Sequence, residues 1–99
     1  MEFEIQISEA AELDIENSMN WYKNQKPGLE IEFQTELFAS VRKIGKQPLT
    51  HQVRYQKTRV RFLKRFPYGI HFNVNNEQST ILLIGIFHTS ENPVKWKKR

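Results

Sequence analysis

Arg59, Arg61, Lys64 and Arg65 place four cations within seven residues, and the three arginines share odd parity. On a regular strand they would project to one side. Guanidiniums hold a phosphate or carboxylate through two parallel hydrogen bonds, so such a row is a candidate docking surface for an oxyanion. A second reading stands beside it, an edge strand that carries charge against sheet-to-sheet aggregation. Pro67 limits how far the strand can run.

His88 closes an apolar run and precedes the polar stretch Thr89-Ser90-Glu91-Asn92. A histidine at a strand end has the chemistry of a general acid or base, or of a phosphate donor. A purely structural histidine is the other use of the position. His71 alternates with Ile70 and Phe72 and is expected to face away from the core, whereas His51 falls in a loop. No two of the three histidines have metal-ligand spacing, so no metal is expected. At the C-terminus Lys95-Trp96-Lys97-Lys98-Arg99 interleaves one aromatic with four cations. Such a segment stacks on a base while neutralising phosphates, or else Trp96 folds back and fixes the tail; both uses stay open.

Other chemistries lack their essential groups. The chain contains no cysteine, which removes disulfides, thiolate metal sites and a cysteine nucleophile. It has no Gly-rich phosphate loop, no Gly-x-Ser-x-Gly and no carboxylate pair set among bases, so nucleotide hydrolysis, esterase and glycosidase readings fall away. With 99 residues it is too short for two domains or for a deep pocket around a large cofactor, and no cofactor or small-molecule substrate is expected. The apolar run from Ile81 to Phe87 is too short to span a bilayer, and the acidic start Met1-Glu2-Phe3-Glu4 is unlike a signal peptide; a cytoplasmic protein without membrane partners is expected.

The net charge of +4 conceals a division along the chain. Residues 1–37 carry nine acids and two bases, whereas residues 38–99 carry thirteen bases and two acids. On a small fold the second set is expected to make one positive surface suited to phosphate or an acidic polypeptide, unless it is simply a solvated face.

The elements that must position these groups follow from periodicity. Phe3, Ile5 and Ile7 alternate with polar residues and read as a strand. Ser8 can cap a helix with Glu9 and Glu12 in its first turn, and Ala11, Ile15, Met19 and Tyr22 give that helix its apolar stripe before Pro27-Gly28. Leu29, Phe33, Leu37, Val41 and Ile44 supply the stripe of a second helix, which ends before Pro48, and the short Pro-Gly link makes the two an antiparallel hairpin. From Thr50 the period becomes two. Strands are expected around Val60 and Phe62, over Tyr68 to Val74, and over Thr80 to Phe87, with Asn75-Asn76-Glu77-Gln78 as a hairpin turn. The last run is apolar on both faces and is expected at the centre of the sheet. The fold class is α+β in the order β-α-α-β-β-β, an antiparallel-rich sheet with a helical hairpin on one face. It forms one domain over residues 1–99 with a short basic tail at about 93–99.

Three blocks carry a resemblance: Asn20-Trp21-Tyr22 through Gln25-Lys26-Pro27-Gly28-Leu29 to Phe33; Lys64-Arg65-Phe66-Pro67-Tyr68; and His88 with Pro93, Trp96 and Arg99. In this order and spacing they resemble the RelE/ParE family of bacterial toxins over nearly the whole chain. The resemblance implies the toxin of a type II toxin–antitoxin system, held inactive by an antitoxin with an acidic, partly disordered tail. Family members divide between RelE-like cleavage of mRNA on the ribosome and ParE-like poisoning of DNA gyrase. In the RelE-like pattern an arginine follows the third-strand tyrosine, and another follows the last strand. Here Tyr68 is followed by Gly69, and Thr89-Ser90 stand after His88; close relatives place arginine where this chain has Ser90-Glu91. These departures favour the ParE-like branch, an inhibitor rather than an enzyme, with Arg59, Arg61, Lys64, Arg65, Trp96, Lys97 and Arg99 as target-binding residues. In the nuclease alternative the arginines hold phosphate and His88 moves a proton. A non-toxic interaction or nucleic-acid-binding relative is the third reading.

Overall fold

The computed structural model describes residues 2–99. Strand β1 (Glu4–Ile7) leads into helix α1 (Glu9–Gln25), which packs as a hairpin with α2 (Leu29–Lys46). Ser8 is extended, and its hydroxyl accepts from the Ala11 amide at 3.1 Å, so the acidic first turn begins at a satisfied cap. The hairpin turn rests on Gly28, whose φ of 98° lies in the left-handed region that a side chain disfavours. Its amide donates to Glu30 Oε1 at 2.7 Å.

A short 3-10 turn (Pro48–Thr50) follows, then β2 (Val53–Tyr55), β3 (Thr58–Phe62), β4 (Tyr68–Asn75), β5 (Thr80–His88) and a one-turn helix α3 (Pro93–Trp96). The sheet order is β1-β5-β4-β3-β2, with β1 parallel to β5 and the other pairs antiparallel. The sheet therefore has five strands where periodicity indicated four. The additional one, β2, has three residues and an irregular register against β3, too short to leave an alternation in the sequence.

β5 is not the central strand. That place belongs to β4, because β1 returns to pair with the outer edge of β5. The apolar run misleads for a local reason: His71 pairs with Gly85 and Phe72 with Leu83, leaving Ile84 as an extra residue. The bulge switches parity. Ile81, Leu83 and Ile86 all reach the core under the helices, while Phe87 turns to the other face.

The main core joins Ala11, Tyr22, Phe33, Leu37 and Ile44 of the hairpin to Ile70, Phe72, Ile81 and Leu83 of the sheet. Val60, His71 and Phe87 are also buried, but on the opposite face. Residues 93–99 are not a free tail: α3 lies against that second face, with the Trp96 ring 4.7 Å from that of His71 and 5.9 Å from that of Tyr55.

Candidate functional site

Arg59 and Arg61 do share a face, and it is the helix side of β3, since they pair with Phe72 and Ile70. Both turn to His51, just past the 3-10 turn. Arg59 Nη1 donates to the His51 carbonyl at 2.6 Å, and Arg61 Nη1 lies 3.1 Å from His51 Nε2. Because a guanidinium cannot accept, His51 Nε2 must be the acceptor and the ring proton sits on Nδ1. Burial and then the Arg61 charge hold the His51 pKa below its ordinary value, so the neutral ring persists at pH 7.

Arg65 does not continue this row. β3 ends at Phe62, and the following loop carries Lys64 and Arg65 over to α2. There Arg65 Nη2 meets Glu32 Oε1 at 2.7 Å, and the Glu36 carboxylate accepts the backbone amides of Lys64 and Arg65. The ion pair is exposed on both sides, so it orients the loop more than it stabilises the fold. Acids of the first half thus meet cations of the second half in a cleft of about 380 Å³ that contains Glu32, Glu36, Arg61, Lys64 and Arg65.

His88 lies elsewhere again. It pairs across the sheet with Tyr68, whose ring is 5.2 Å away, and opens on a cleft of about 550 Å³ walled by Trp21, Tyr22, Tyr68 and Ile86. Its Nδ1 accepts from the Ser90 amide at 3.0 Å and lies 2.7 Å from the Ser90 hydroxyl. The titratable groups beside it are Asp14, Glu91 and the two phenols; no Lys or Arg lines this cleft among the described residues. Burial, with Tyr68 nearby, raises the Tyr22 pKa.

On the far face Trp96 seals His71, whose Nδ1 is 3.0 Å from the Tyr55 hydroxyl. Arg99 is committed too: it pairs with Asp14, donates to the Ile84 carbonyl at 3.0 Å and lies over the Phe87 ring. Lys97 is exposed. The single positive patch expected from the charge division is therefore split into an α2 corner, a mixed-charge loop and a folded C-terminus. The reason is that cations separated in sequence find different local partners. Asp14 was missed as the Arg99 partner, although an acid within the α1 stripe, between Ala11 and Ser18, is a legible signal.

A family model for the ParE toxin of type II toxin–antitoxin systems, parDE, matches residues 5–93. The chain belongs to the ParE toxin family. It is thereby a toxin of the type II toxin–antitoxin class, and the RelE/ParE resemblance is upheld. No curated protein matches the chain in sequence. Among solved structures, the fold is similar to that of a chain of the chromosomal ParDE system from P. aeruginosa, with a TM-score of 0.78 at 14% identity over 89% of this chain and 97% of that one. It is also similar to isolated E. coli RelE, at TM-score 0.63 and 14% identity over 97% and 94% of the two chains. A chain of the RelBE2 toxin–antitoxin complex from Mycobacterium tuberculosis gives TM-score 0.58 and 14% identity over 89% and 99%. At such identities these likenesses establish the ParE/RelE fold and nothing finer.

Within this ParE-family chain, Gly69 has little room for the RelE-type arginine. A Cβ there would stand 3.0 Å from Val60 Cγ1 and 3.3 Å from the Phe62 ring.

Proposed function

We propose that this ParE-family toxin arrests growth in the cytoplasm by inhibiting DNA gyrase, without cutting RNA. The observation that carries the reading is the separation of His88 from the arginines. RNA cleavage needs cations where charge develops on the scissile phosphate. The His88 cleft instead contains Asp14 and Glu91, while Arg59 and Arg61 are turned to His51. Asp14 is paired with Arg99, so the cleft has no free cation among the described residues to hold a phosphodiester.

The cationic second half supports a cognate antitoxin with an acidic, partly disordered tail as partner. Its association rate should fall with salt more steeply than its final affinity, since apolar contacts carry much of the latter.

The test sets purified toxin against gyrase in a supercoiling assay and against translating ribosomes in primer extension. Loss of supercoiling without new RNA ends is the expected result. Codon-linked RNA ends with supercoiling intact would replace this reading by the nuclease one, in which the open side of His88 would move the proton.

A further inference from the structure

We propose that the corner where α2 ends is a phosphate-binding pocket. It has a volume of about 360 Å³ and is lined by Lys43, Lys46, Gln47, Thr50, His51 and Arg61. Every lining side chain is polar, three are cationic, and no carboxylate is among them. Lys43 and Arg61 also line the neighbouring cleft, where Glu32 and Glu36 meet the cations, whereas the cleft at His88 has no lysine or arginine in its lining.

Two of the lining side chains also carry buried donors. Arg61 Nε and His51 Nδ1 are shielded from solvent and have no hydrogen-bond partner among the described residues. Arg61 can use its Nη1 on His51 only if the ring proton is on Nδ1, so both atoms are N–H donors. The carbonyls of Pro48 and Gln47 lie near the ring and favour a protonated nitrogen there. Neither atom opens on the pocket as it stands, so an anion there is held first by the Lys43 and Lys46 ammonium groups, the Thr50 hydroxyl and the Arg61 charge.

The carbonyl end of α2 is the negative end of its dipole, which opposes an anion. Lys43 and Lys46, both exposed in its last turn, offset that field and supply mobile ammonium groups. Arg59, outside the lining, donates to the His51 carbonyl and anchors the residue that carries the ring. A tetrahedral oxyanion, whether free phosphate or a phosphodiester of a nucleic-acid backbone, has the acceptors for this set. Sequence reading placed phosphate on a row of strand arginines; the structure assigns it to one of them, Arg61, joined by residues from α2 and the loop after it. The inference stands independently of the gyrase reading.

The test uses the whole purified protein, with inorganic phosphate and a short duplex DNA as probes, read by NMR shifts of His51 and the Arg61 side chain against sodium chloride of equal ionic strength. Phosphate should shift both signals where chloride does not. In Lys43→Gln/Lys46→Gln its affinity should fall by about tenfold. Arg42→Gln removes the same kind of charge from an exposed neighbour outside the pocket and should leave binding within about twofold of the parent. If duplex DNA moves the same two signals, with a log–log salt slope reduced by about two in the double variant, the source is a nucleic-acid backbone. If only inorganic phosphate moves them, the source is the free anion. Chloride reproducing the shifts, or Arg42→Gln weakening binding as much as the double variant, would mean diffuse electrostatics and would overturn the proposal.

Discussion

Asp14 and Arg99, 85 positions apart, form a two-pronged ion pair, with Nη1 at 2.7 Å from Oδ2 and Nη2 at 3.0 Å from Oδ1. The pair sits where β1 has ended and β5 runs on. Asp14 Oδ2 accepts the Ile86 amide at 2.9 Å, and Arg99 covers the Ile84 carbonyl, so the two side chains finish an edge that lacks a neighbouring strand. Removing Asp14 strands both an amide and a guanidinium, whereas removing Arg99 leaves the amide bonded. Asp14→Ala should therefore lower the unfolding free energy by about 2–4 kcal/mol and Arg99→Ala by about 1–2 kcal/mol. Urea unfolding measures both. Equal losses would show that the Ile86 amide does not matter.

Trp96 gives a sharper comparison. Its ring covers His71 and Phe87, but its Nε1 is buried without a partner among the described residues. Trp96→Phe keeps an aromatic cover and removes the unpaired donor, so it should change stability by less than about 1 kcal/mol. Trp96→Ala should cost about 2 kcal/mol and admit water to His71. A large loss in Trp96→Phe would mean that the indole N–H is bonded after all.

His71 makes stability depend on acid. It is 1% exposed, and burial, opposed by the Asp14 charge and reinforced by that of Arg99, lowers its pKa to about 4. The unfolded chain binds the proton near the ordinary value of 6.5, and the folded one refuses it until about 4. The histidine's contribution is thus complete above about pH 6.5, is lost as pH falls toward 4, and reaches at most about 3 kcal/mol. His51 is shifted in the same direction and adds to the slope. In His71→Gln the plot of unfolding free energy against pH between 6.5 and 4 should flatten by most of its gradient. An unchanged slope would place the acid sensitivity elsewhere.

The helical hairpin was legible almost to the residue because its stripes, its Ser8 cap and its Pro27-Gly28 stop are local signals. Local signals end where the chain pairs with distant parts of itself. Gly85, beside Ile84 in the apolar run, is the one local hint of the bulge, and nothing in Phe3–Ile7 announces that β1 will displace β5 from the centre. The arginine parity failed for the same reason, since Glu32 and Glu36 recruit Arg65 to α2. Of the candidate site, the residue types were legible but not their grouping. Lys43 and Lys46 lie in the last turn of α2, where cations are ordinary, and only folding brings them beside Arg61.

Two strand glycines should rank by what surrounds them. At Gly69 an added methyl meets Val60 and the half-exposed Phe62 ring, which can give way, so Gly69→Ala should cost about 1 kcal/mol. At Gly85 the methyl would overlap the Phe87 ring, which is packed beneath Trp96 and Arg99 and cannot retreat. Gly85→Ala should cost about 3 kcal/mol. Thermal unfolding checks the order, and a reversal would indicate that Phe87 is free to move.

His88→Gln separates inhibitor from enzyme. Glutamine retains a carbonyl oxygen able to accept from Ser90, so the strand end should hold and stability should change by less than about 1 kcal/mol. A gyrase inhibitor needs no proton transfer at this position, and the variant should stop growth on induction nearly as well as the parent. A nuclease that used His88 as acid or base would lose about 10²–10⁴ in rate. Growth curves of induced cells, with unfolding measured on the same variant to establish that it folds, give the answer. Restored growth in a folded His88→Gln protein would move the toxin to the RNA-cleaving branch.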